Sequence, residues 1–360
     1  MAGGPLLDRR AFMGAAGAGF LMALRPRAAL ALARTDAVFA SAFRAPDGSF
    51  GVATMTERGE IVDRARLPDR AHGMAACRAT GRMVAFARRP GTFAVIFDKD
   101  AACEPVVIAT PEGRHFFGHG EFSADGRILF ASENDFEAGR GVIGLYDATS
   151  SFRRIAEFDA HGIGTHDIGV SPDGRFLAIA NGGIETHPDF GRTKLNLDTM
   201  QPSLVLLDAR SGALVQRHRL PPALAQLSTR HLAFADGGRI WFACQFEGSR
   251  NETPPLAGYF SPGDDPTYVT LPVDVTERMG HYVGAIAINA ADGLVGLSSP
   301  KGSLVILDAR DGRLLSERAV RDAAGVAASA AGIAVSTYDG TLADTTSPIA
   351  WDQHLLRLAR

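Results

Sequence analysis

Apolar residues fall in short runs of four to seven, each closed by a tight turn rich in Asp and Gly. The clearest copies run from Glu121 to Ala131 and from Gly169 to Ala180; both read as strand, Asp-Gly turn, strand. Each is followed by another apolar run ending in aspartate, Val142 to Asp147 and Leu204 to Asp208. Ala94 to Asp98 and Val305 to Asp308 repeat that ending. Two of these runs continue into the turn Asp-Ala-Arg-x-Gly, at Asp208 to Gly212 and Asp308 to Gly312, after which new strands begin at Leu214 and Leu314. The unit therefore holds three or four short strands separated by turn residues. Its first turns are Asp47-Gly48, Thr80-Gly81, Asp125-Gly126, Asp173-Gly174, Asp236-Gly237, Asp292-Gly293 and Ala331-Gly332, at intervals of 33 to 63 residues. Four-stranded units at this spacing predict an all-β chain folded as a seven-bladed β-propeller of the WD40/YVTN-like kind. A six-bladed ring follows instead if the first or last unit is degenerate. An insertion from Gly182 to Pro202 explains the longest interval.

Forty glycines and the absence of long helical periodicity favour one domain over residues 34–360. A net charge of −3 speaks against a nucleic-acid partner, which asks for a basic face. Residues 1–33 read as a removable signal. Arg9-Arg10 and Phe12 precede the apolar run Ala15 to Leu24, and Ala31-Leu32-Ala33 fits a small-x-small cleavage site. The segment resembles a twin-arginine signal, departing from it at Asp8 and Gly14. It predicts a periplasmic protein that meets the membrane only during export. The three cysteines, Cys77, Cys103 and Cys244, match no zinc or haem spacing, and burial is expected for Cys77 and Cys244.

Chemistry enters through histidine. His72, His119, His166, His231 and His281 each precede or open the first strand of a unit, and in a radial fold one position per unit becomes a ring. His119, His166 and His231 are best matched in register; His72 is one residue early and His281 four. The start of a first strand and the end of the second share one face of a propeller. The polar residues that follow second strands should therefore gather near the ring: Arg88-Arg89, Glu133-Asn134-Asp135, Asn181 with Glu185, and Gln245. Glu121 and Asp167 flank the ring, as ligands or as carboxylates that orient an imidazole. The metal candidates are thus His72, His119, His166, His231, Glu121 and Asp167. The ligand-binding candidates are Arg88, Glu133, Asn134, Asp135, Asn181, Glu185 and Gln245, with Arg88-Arg89 suited to an anion. Imidazoles with a carboxylate suit iron, copper or zinc, whereas the Glu/Asn/Asp set suits calcium. His115, His161 and His187 have no register and are expected in solvent. No nucleophile elbow, phosphate loop or dinucleotide fingerprint is present.

From His115 to Asp147 and again from His161 to Asp208 the chain resembles DUF1513, a bacterial family of unknown function, and the resemblance extends over nearly all of the chain after the leader. The carrying runs are Gly118 to Ser123, Glu133 to Gly141 and Asn181 to Pro188, with Arg230 to Ala233 and Tyr282 to Gly284 also fitting. Thr165-His166-Asp167 departs from the Pro-His-Glu expected there. The resemblance implies an exported propeller often encoded beside periplasmic iron-uptake proteins, and so an iron-uptake partner by association only. It carries over no activity. The expectation is a binding propeller with a histidine/carboxylate site at the channel mouth. The alternatives are a metal-dependent enzyme, lactonase-like or redox, and a metal-free interaction scaffold.

Overall fold

The computed structural model describes residues 37–98 and 104–358. The leader expected over residues 1–33 and Cys103 lie outside the described residues. Seven antiparallel sheets follow one another along the chain and form the seven blades of a β-propeller.

Blades 2 to 7 are each built from four consecutive strands. Their innermost strands are Ala71–Ala76, Arg114–Phe122, Thr165–Val170, Leu227–Phe234, Ala285–Asn289 and Ala323–Ser329. Blade 1 is composite. Phe39–Arg44, Phe50–Met55 and Ile61–Leu67 supply its outer three strands, and the innermost lane is filled by the C-terminal pieces Ala350–Trp351 and Leu356–Arg357. Phe43 pairs with Trp351 and Ala40 with Leu356, so the two ends of the chain close the ring. The turn Asp47-Gly48 consequently joins the second and third strands of its blade, not the first and second. The blades number seven, as the turn spacing predicts, with the first unit shifted by one strand from that expectation.

Middle strands are buried on both faces and read as continuous apolar runs, such as Ser203–Asp208. Outer strands such as Leu214–Arg219 are largely exposed. The core lies between neighbouring blades: Leu204 and Leu206, Trp241 and Phe242, and Val295 and Leu297 join blades 4, 5 and 6 in one cluster. The six-residue Val273–Arg278 is the α-helix among the described residues, leading from blade 5 to blade 6. Cys77 and Cys244 are buried free thiols.

Five of these innermost strands, all but that of blade 6, share an irregularity that sets the site. Pairing with the second strand breaks between Ala71 and Met74, Phe116 and Gly120, Thr165 and Asp167, Thr229 and His231, and Ala323 and Val326. A bulge bends its strand and re-aims the side chain beside it. In blade 1 the gap between Ala350–Trp351 and Leu356–Arg357 stands in the same place and holds Asp352, Gln353 and His354. Buried second-strand serines hold two of these loops: Ser132 Oγ donates to His119 O at 2.9 Å, and Ser41 Oγ to His354 O at 2.7 Å.

Candidate metal centre

The bulges turn five imidazoles toward one another: His72, His119, His166, His231 and His354, one each from blades 2, 3, 4, 5 and 1. Neighbouring ring centroids lie 4.5 to 5.5 Å apart around the group, with His72 and His166 at 6.2 Å. One ring nitrogen from each of His72, His119 and His166 lies within 4.8 Å of the others, and the same holds for His119, His231 and His354. His72 Nε2 and His354 Nε2 are 3.3 Å apart. That is close to the nitrogen–nitrogen edge of a tetrahedral shell with metal–nitrogen bonds of about 2.0–2.1 Å.

Carboxylates hold the opposite edges of three rings. His72 Nδ1 faces Asp352 Oδ1 at 3.4 Å. Asp167 places Oδ1 3.3 Å from His119 Nδ1 and Oδ2 3.9 Å from His231 Nδ1. Asp167 is itself fixed by the amides of Ile168 and Leu232. A carboxylate on one imidazole nitrogen orients the ring and leaves the other nitrogen for a metal. His119 Nε2 is such a free nitrogen, and His166 Nδ1 and both ring nitrogens of His231, whose Nδ1 stands beyond hydrogen-bond reach of Asp167, are also buried without a hydrogen-bond partner. Buried polar atoms are normally paired, so four orphans in one spot ask for something to bind.

Burial also keeps these rings neutral, the form that ligates metal. It lowers His119 to about 3 and holds His72, His166, His231 and His354 well below the usual value, with charge from neighbouring imidazoles or arginines adding to the last four. Burial pushes Asp167 up to about 7 and Glu121 up to about 7, the latter helped by Asp167.

The rings border a cavity of about 340 Å³ to which all seven blades contribute. His72 and His166 line it together with Phe117, Tyr282, Tyr338, Gln245 and Gln353. Its remaining polar wall is cationic: Arg88, Arg89, Arg192, Lys194 and Arg230.

The expected ligand-binding residues divide. Arg88 and Gln245 line the cavity. Glu133 does not reach it: its strand runs on to Asp135, and the carboxylate is buried against Tyr146, Arg154 and Arg114. Asn134 bonds His115 and Thr186 O. Asp135 pairs with Arg114 and Arg140 and caps the turn at Ala138. Asn181 is spent on Thr165, Ala160 O and Ser203. Glu185 anchors the insertion through its backbone to Asn196 and Leu195. The oxygen-donor set suited to calcium therefore does not converge. Glu121 spends one oxygen on the Phe122 amide and stands beside the imidazole groups without joining them.

His281 bonds Glu252 O and stays out of the cluster, as its early position suggests. His115, expected in solvent, is buried on Arg114–Phe122 and lowered by that burial to about 4. The residues sequence reasoning missed are His354 with Asp352, and the cavity's Arg192, Lys194 and Arg230. A signal for His354 existed: Phe39–Arg44 carries no histidine, which a composite first blade explains.

Residues 65–358 match the family described as "Protein of unknown function (DUF1513)". Solved structures share the fold. Hydrazine synthase from Kuenenia stuttgartiensis aligns with 88% of this chain and 94% of its own at TM-score 0.58 and 14% identity. BamB from Moraxella catarrhalis covers 91% and 82% at TM-score 0.52 and 14% identity. The β-propeller domain of Myceliophteria thermophila Cps50 (Swd1) covers 84% and 94% at TM-score 0.56 and 10% identity. At these identities the likeness is one of fold. No curated protein matches the chain.

Proposed function

The chain belongs to the DUF1513 family, and for this member we propose a binding propeller that holds one transition-metal ion among the buried imidazoles on its axis. The observation that carries this reading is the set of five rings from five blades, three of them with ring nitrogens left unpartnered in the interior. Neutral imidazoles without thiolate suit zinc, copper or iron(II), and the lack of converging oxygens weighs against calcium. His72, His119 and His166, or His119, His231 and His354, would hold the ion, with Asp167 and Asp352 orienting the rings of His119 and His72. A bound metal would supply Lewis acidity or a redox centre; the chain's own residues would bind and orient it.

The leader resembling a twin-arginine signal supports a periplasmic location, and the family resemblance supports a place beside periplasmic iron-uptake proteins. Both are proposals of the same reading. The test is elemental analysis of the untagged protein, as purified and after exposure to Zn²⁺, Cu²⁺ or Fe²⁺ followed by desalting. Near-stoichiometric metal that drops on His119→Ala and on His231→Ala supports the site. A folded protein that retains none of the three ions overturns it and leaves a metal-free scaffold.

A further inference from the structure

The cavity wall holds more positive charge than its own carboxylates neutralise. Asp352 is engaged by Arg70 at 2.5 Å and lies 3.5 Å from Arg88 Nη1. Glu247 is engaged by Lys194 and, at 3.4 Å, by Arg230. Six cations thus share two carboxylates once Arg89 and Arg192 are counted, and neither of those two has a carboxylate among its described neighbours. Arg88 Nε and Nη1 are buried without a hydrogen-bond partner. Burial, with Arg230, Arg192 and Arg88 close by, lowers Arg89 to about 9. Gathering like charges in a recess costs folding energy that the two carboxylates recover only in part.

We propose that this cavity binds a small molecule carrying two or more oxyanion groups, carboxylate or phosphate, clamped between Arg88 and Arg89 on one side and Arg192 and Arg230 on the other. Guanidinium is the donor that matches a planar or tetrahedral oxyanion with paired N–H groups. Tyr282 and Tyr338 line the same space and offer phenol hydroxyls to an uncharged part of the ligand. A volume of about 340 Å³ admits a small molecule. A nucleic-acid strand would need a basic outer face, which a chain of net charge −3 does not favour. Arg192 and Lys194 come from the insertion after the second strand of blade 4, so that segment acts as a cationic wall of the site.

Anion binding in this cavity does not depend on the metal and is measured without one. The purified protein, stripped with chelator and dialysed, is titrated calorimetrically with tricarballylate, pyrophosphate, acetate and glycerol. The expected result is saturable binding of at least one polyanion, ten or more times tighter than acetate and weakening as NaCl is raised. Arg89→Gln and Arg192→Gln should each weaken it about tenfold, the loss of one charge-assisted pair. Arg192 lies on an exposed turn, so its variant keeps the test sound if the Arg89 variant folds poorly. Tighter binding of tricarballylate assigns the site to organic acids, and tighter binding of pyrophosphate to phosphate-bearing molecules. No saturable polyanion binding, or binding unchanged in both variants, overturns the proposal while leaving the metal reading standing.

Discussion

Asp167 is the residue on which the cluster turns, because one carboxylate reaches two of the five rings while its own oxygens are fixed by backbone amides. Asp167→Asn keeps the shape but removes the negative charge beside His119 Nδ1 and, farther off, beside His231 Nδ1. Metal affinity should fall about 10–100-fold with the fold intact, read by competition with a chromophoric chelator. Glu133 makes the contrast. Glu133→Gln leaves Arg154 and Arg114 with Glu157 alone as counter-charge, which should cost about 1.5–3 kcal/mol in urea denaturation and leave metal content unchanged. The difference between these two acids shows how far single residues were legible. His72, His119, His166 and His231 could be found because register places them at one radius. Glu133 and Asn181 could not be judged, because whether a strand continues past a polar residue depends on pairing with its neighbour, here Val142 and Ser203.

At the scale of the element, the bulge is the device that matters. Periodicity finds a strand, but an interruption one to three residues long leaves no apolar signature. Gly118 carries the bulge of blade 3 at φ +102°, and a Cβ there would lie 2.9 Å from His72 Cδ2. Gly118→Ala should therefore strain the backbone by about 1–3 kcal/mol and push His72 from its place. The unfolding midpoint should drop, and metal affinity should drop beyond what the stability loss explains; an affinity equal to the parent's would show that the bulge does not position the rings. The insertion was legible as a length anomaly, but its part in walling the cavity was not. Two short 3₁₀ turns, Pro188–Phe190 and Leu197–Thr199, flank Arg192 and Lys194, and nothing local announces where they point.

The whole molecule joins its first described strand to its last, and that joining supplies the fifth imidazole. Repeat spacing disclosed the seven blades. The partnership of His354 with residues near the N-terminus is a long-range contact that no local pattern carries. Many neutral buried histidines also give the fold a pH signature. Cluster rings and His115 are held below the ordinary value near 6.5, so they stabilise the metal-free fold above that pH and withdraw stability as pH falls toward their folded values. Asp167 and Glu121, raised to about 7, act in the opposite sense, losing stability as pH climbs from about 4 to about 7. Six histidines outnumber two carboxylates, so the unfolded chain takes up more protons than the native one through this window. The melting temperature of metal-free protein should fall steadily from pH 7 to pH 5; a flat profile would mean the rings are not buried as neutral groups.

The central claim is that imidazoles from separate blades share one ion, and X-ray absorption at the metal edge of the untagged protein reads that directly. The account predicts three or more imidazole nitrogens at about 2.0–2.1 Å, with the outer-ring scattering that marks histidine, lost in the His119→Ala/His231→Ala double variant. A retained metal surrounded by oxygen or sulfur alone, or a signal that survives the double variant, would contradict it.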